Sequence, residues 1–395
     1  MTRRKPVNFQ KPLETSGLVG DLYPEPLLIS IELSRSYIEL SSDERDDALA
    51  LHRESVVIDA SIVAFINYVG EDIWIDDVLK GGLTATNVTV CMGRAFNDAL
   101  TELGEYHDWA EKKKDKTLIA FKASDIEKAK KEGRHAIILG PQDSSFLEGN
   151  LRFHTVARDW GIRIIQLTYN SRNEAGDGCT ERCDAGLSNY GVMLVGEMNR
   201  QGVLIDLSHT GDTSVMEAIE TSRDPVIFTH VIPRSSTPKE MGGYAAWMSS
   251  GPYGGFLRYS QQRGKTDEAL QACAEKGGVV GVTPYFAKKA GDSTLTDDLM
   301  DQMDATVDLV GADHVGFGSD LDFRNSVTRA AHIWKHPDRI DVDYFTPMDK
   351  SWGYGWLEHM PNLTMGLVAR GYSDQEIRGI LGGNFLRLFK KVWGG

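Results

Sequence analysis

The chain has 395 residues, 41% hydrophobic and 25% charged, with a formal net charge of −14. That length suits one large domain or two ordinary ones, and the composition is that of a soluble globular protein. The acidic balance argues against nucleic acid or an anionic membrane as partner, and four cysteines are too few for a disulfide framework.

Basic residues Arg3, Arg4 and Lys5 are not followed by an apolar run. With no signal peptide and no stretch of 18 apolar residues, a cytoplasmic location is expected. Residues 1–42 mix Gly, Pro and polar clusters and read as an N-terminal extension to a single domain over 43–395. Ser42 or Asp43 is placed to cap a first helix through ERDDALALHRE. Strand-like runs then fall at 56–63, 84–92, 136–140, 162–168, 202–207, 226–229, 278–283 and 315–319. Helical patterns lie near 97–114, 123–132, 151–159, 189–201, 213–221, 267–275 and 295–310. A last helix is predicted over 373–392, with Ser373 as cap and Glu376 at the capping-box position. Eight strands alternating with helices predict a (β/α)8 TIM barrel; a doubly wound open sheet is the alternative.

Several strands end in a polar residue: GVLIDLSH at His209, PVIFTH at His230 and HVGFGSD at Asp320. In a parallel barrel these ends converge on one rim, where two imidazoles and a carboxylate suit a metal-assisted enzyme. Asp206, inside the fifth predicted strand, reads as a supporting carboxylate. Cys91 and Cys273 read as buried thiols; Cys179 and Cys183 lack a second ligand pair at zinc-finger spacing, and Cys179 follows the fourth strand near the rim. Two long stretches, 233–264 after strand six and the aromatic-rich 322–361 after strand eight, emerge there as lids, pocket walls or oligomer contacts.

The segments 176–188 (GDGCTERCDAGLS), 189–210 (NYGVMLVGEMNRQGVLIDLSHT), 226–230, 314–322 and 371–389 resemble the membrane (renal-type) dipeptidases, peptidase family M19 of the amidohydrolase superfamily. The resemblance runs over about 43–390. It implies a barrel of the metal-dependent hydrolase type, usually a homodimer, with two zinc ions activating a bridging hydroxide that cleaves dipeptides. By the same resemblance His209 and His230 correspond to metal ligands and Asp320 to the catalytic carboxylate. Arg263 corresponds to the arginine that grips the substrate carboxylate, with Arg234 a second candidate. Tyr169 stands where the family has a substrate-contacting histidine. Ser61 and Val63 occupy a His-x-Asp ligand pair, and Gln142 the position of a Glu that bridges both metals.

Those replacements remove two negative charges and several oxygen donors. They predict at most one divalent metal, zinc by preference, on His209, His230 and a third donor drawn from Gln142, Asp320 or water; a metal-free pocket is the alternative. The expected function is a dipeptidase-like metallohydrolase acting on a small, carboxylate-bearing amide. The competing readings are the same scaffold turned to lyase, isomerase or ring-opening chemistry, or a non-catalytic binding protein.

Overall fold

A computed structural model describes residues 9–10, 37–38, 40–63, 73–91, 93, 95–237, 263–284, 295–322 and 360–394. Eight parallel strands line up in chain order: β1 Ile58–Val63, β2 Ala85–Val88, β3 His135–Leu139, β4 Ile164–Gln166, β5 Leu204–Asp206, β6 Ile227–Val231, β7 Val279–Val282 and β8 Val315–Phe317. Two junctions join the ring. Leu139 bridges Ile162, and Arg163 N donates to Leu139 O at 3.1 Å. The chain running on from β8, Leu321–Asp322, pairs with Ile62 and Val63 of β1. The expected barrel is therefore present, each strand near its predicted place. An added strand, Thr117–Ile119, pairs with the start of β3.

The helices follow the predicted alternation with three differences. Ser41, rather than Ser42 or Asp43, caps the first helix: its hydroxyl accepts from Glu44 N while Glu44 reaches back to Ser41 N. Helices Ile73–Lys80 and Pro361–Ala369 are additional. The predicted 373–392 helix begins at the expected Ser373–Glu376 capping box, but a π turn at Gly379–Gly383 divides it into Asp374–Arg378 and Asn384–Trp393. Within that turn a Cβ on Gly382 would lie 2.6 Å from Val56 O, so close backbone approach to β1 requires glycine there.

The division of the barrel interior explains where chemistry can occur. The first residues of the strands (Ile58, Ala85, Ile164, Leu204, Ile227 and Val279) form one apolar cluster with Phe385, Leu388 and Phe389 of the C-terminal helix. Phe385 and Phe389 are fully buried, so this helix closes the barrel at its strand N-termini. Towards the other end the buried residues become polar: Asp59, Ser61, Gln142, Gln166, Asp206, Ser208 and Thr229. Polar groups buried in this way need partners among themselves or with a ligand.

The reading of 1–42 as an extension lies almost wholly outside the described residues. Within it, Phe9–Gln10 pairs antiparallel with Tyr37–Ile38. Most of the two rim stretches, 238–262 and 323–359, also lies outside them.

Candidate active site

Local irregularities aim the rim side chains. Between Phe228 and Val231, β6 spends one residue more than its partner β7 between Val280 and Val282. The surplus falls at Thr229–His230, the kind of bulge that redirects a side chain at a barrel rim. β1 has a matching surplus against β2 between Asp59 and Ile62. Asn170, His209 and Asp320, at the ends of the fourth, fifth and eighth strands, have φ of 62°, 58° and 55°. Left-handed backbone is costly for residues with a Cβ and is held in place by surrounding contacts. At His209 the carbonyl accepts from Cys179 N at 2.8 Å; at Asp320 the backbone N–H donates to Ser61 O at 2.8 Å.

The two predicted histidines meet. Their Nε2 atoms are 3.0 Å apart, and Asp320 Oδ1 lies 3.6 Å from His230 Nε2. Each opposite ring nitrogen has an acceptor. His209 Nδ1 donates to Asn170 Oδ1 at 2.6 Å. His230 Nδ1 lies 2.7 Å from Thr229 Oγ1, whose own proton goes to Asp206 Oδ2 at 2.6 Å. Asp206 thus reaches His230 through Thr229. With both Nδ1 atoms protonated, two neutral rings turn Nε2 lone pairs toward each other. Burial holds both imidazoles well below the usual histidine pKa, and the charges of Arg263 and Lys265 add to the effect. Neutral, facing lone pairs repel unless a proton or cation lies between them.

A metal ion satisfies that requirement. Two nitrogens on one tetrahedral zinc, each about 2.0–2.1 Å from it, would lie roughly 3.3 Å apart, close to the 3.0 Å observed. The convergence stops there: among the described residues no trio of His, Cys, Asp and Glu is gathered tightly enough to hold an ion.

The positions expected to be degenerate form a neutral network. Gln142 Nε2 donates to Ser61 Oγ at 3.2 Å and to Thr89 Oγ1 at 2.8 Å. Val63 is buried and offers no donor atom. A cation placed there would face amide protons and hydroxyls instead of carboxylates.

The remaining predicted residues separate by environment. Tyr169 stacks on His209 with ring centroids 4.2 Å apart. Arg263 is buried; its Nη2 donates to His230 O at 2.9 Å, and its Nη1 has no partner among the described residues. Arg234 instead forks onto Asp212 through two 2.8 Å bonds.

Three further groups, none marked by a sequence pattern, bear on the site. Asn170, beside Tyr169, orients His209. Lys265 is fully buried, with its Nζ donating to Thr210 O. Asp59 is fully buried, and burial pushes its carboxyl up to about 7, with the Asp320 charge adding to the shift. Its Oδ1 accepts from Ser61 N and Ser319 N, while Oδ2 has no partner among the described residues. The D-A-S-I-V run that holds two degenerate positions also contained this carboxylate, one turn of alternation below Ser61.

The model of the membrane dipeptidase family, peptidase family M19, matches residues 48–241 and 258–338. A protein described as an uncharacterised dipeptidase of Schizosaccharomyces pombe is 28% identical over 268 residues, 66% of this chain and 54% of that protein. The chain thus spans about half the length of this curated relative. An amidohydrolase structure from Pseudomonas aeruginosa is 30% identical with a TM-score of 0.71, covering 88% of this chain and 99% of that one. A Rhodobacter sphaeroides metallopeptidase, solved with a phosphinate mimic of the dipeptide L-Ala-D-Ala, shares the fold at 18% identity and a TM-score of 0.68, over 86% of this chain and all of the other.

Proposed function

The chain belongs to the membrane dipeptidase family, peptidase family M19, and we propose that it is a dipeptidase-like hydrolase of small amides working through a reduced site with at most one metal. The observation that carries the proposal is the pair of neutral imidazoles facing each other at 3.0 Å. His209 and His230 would hold the ion. Bound there, a divalent ion supplies Lewis acidity that polarises the scissile carbonyl and acidifies water.

The chain's own residues account for the remaining tasks. In this reading Asp320, whose Oδ1 lies 3.6 Å from His230 Nε2, takes a proton from the attacking water and returns it to the leaving amine. The Nη1 of Arg263, which has no partner among the described residues, is the anchor for the substrate carboxylate, because Arg234 is already committed to Asp212. Tyr169, held flat against His209, walls the pocket. The neutral network of Ser61, Thr89 and Gln142 supports the loss of the second ion. It also keeps open a repurposed scaffold, since it replaces charged donors with groups suited to binding an uncharged substrate part.

The test is turnover of a dipeptide panel with zinc, manganese or cobalt supplied, with His209→Ala alongside. The proposal expects metal-dependent cleavage that the substitution removes. Inactivity across the panel at saturating metal, or a fully active His209→Ala, overturns it. No helix among the described residues is long and apolar enough to cross a membrane.

A further inference from the structure

Two buried cations flank the imidazole pair. After β6 the chain returns so that Pro233 and Lys265 form a parallel bridge: Lys265 N donates to Ile232 O at 3.0 Å, and Arg234 N to Lys265 O at 2.7 Å. From this return segment Arg263 reaches back to the carbonyl of His230. Lys265 crosses to the carbonyl of Thr210, the residue after His209. The two positive groups are thus fastened beside the two strand-end histidines. Both are almost wholly removed from solvent, at 2% and 0% exposure.

Neither makes an ion pair among the described residues. Arg263 keeps an unpartnered Nη1, and an ammonium has three protons, of which Lys265 is seen to use one. The nearby carboxylate of Asp212 is taken by Arg234. Burying an unbalanced cation is unfavourable, and the cost is offset when an anion enters. One carboxylate would balance Arg263 and leave the Lys265 charge over.

We propose that Arg263 and Lys265 act as one dicationic anchor, and that the substrate presents two carboxylates to it: a dipeptide-like amide whose C-terminal residue is Asp or Glu. This rests on the hydrolase reading for the reaction, but not for the recognition. Burial lowers the Lys265 amine to about 8, and a second carboxylate beside it favours the charged form.

Binding and turnover are measured separately. Isothermal titration compares N-acetyl-L-alanine with N-acetyl-L-aspartate and N-acetyl-L-glutamate; kinetics compare Ala-Ala with Ala-Asp and Ala-Glu. The diacids are expected to bind at least about tenfold tighter than the monoacid, the scale of one charge-assisted hydrogen bond. Lys265→Met should abolish that preference, whereas Arg263→Gln should weaken both ligand classes alike. Lys265→Gln, with its melting temperature recorded, repeats the measurement if the methionine variant does not fold. Equal binding of mono- and diacids, no binding of either, or an equal loss of both in the Lys265 variants overturns the inference and makes Lys265 a pin for the Thr210 carbonyl. Diacid binding that depends on Lys265 without hydrolysis leaves the anchor standing and removes the dipeptidase reading alone.

Discussion

Asp59→Asn should make the protein more stable, increasingly so as pH rises. The carboxyl is fully buried and its pKa is raised from 3.8 to about 7. Because the folded-state value exceeds the unfolded one, the folded protein holds a proton that the unfolded chain releases. Stability is therefore lost as pH rises from about 3.8 to about 7, and the loss is complete above that. Three pKa units at 1.36 kcal/mol each give a cost of about 4 kcal/mol at pH 8, roughly 2–3 of it appearing between pH 5 and pH 8. Asparagine retains the Oδ1 that accepts from Ser61 N and Ser319 N and mimics the neutral carboxylic acid. Urea unfolding of both proteins near pH 5 and pH 8 should show the variant's advantage widening by roughly 2–3 kcal/mol. Parallel pH profiles would refute the assignment of a proton to this buried group.

Three further outcomes follow from the same contacts. Asn170→Ala frees the His209 ring and should weaken zinc binding by about 10–100-fold in a chelator competition. Phe385→Ala removes a fully buried ring from the barrel floor and should cost about 3–5 kcal/mol by denaturant titration, without altering metal stoichiometry. Restoring one imidazole and two carboxylates in the triple variant Ser61→His, Val63→Asp and Gln142→Glu should raise bound metal by one equivalent in elemental analysis.

Alternation of β-branched runs with amphipathic stretches made the barrel legible, because parallel strands buried on both faces leave long apolar signatures. His209, His230 and Asp320 were legible for a related reason: each is a polar residue closing such a run. Thr117–Ile119 escaped notice because three residues carry too little pattern, and the π turn at Gly379–Gly383 because its cause is close packing against Val56 and Ile58. Asn170 and Lys265 were illegible in another way. Their importance comes from what they touch across the fold, His209 from the neighbouring strand and Thr210 from a segment 55 residues away. Nothing in LTYN or RGKT announces those contacts. Arg263 and Arg234 stood as first and second candidates for one role, two arginines after one strand. The fork from Arg234 to Asp212 and the burial of Arg263 against His230 O separate them.

The most direct test is the metal content of protein purified without chelator, with His209→Ala measured in parallel. The account predicts no more than one equivalent per chain, absent from the variant. Two equivalents per chain would contradict it, because they would require a second ion to sit among Ser61, Val63 and Gln142 without an anionic ligand.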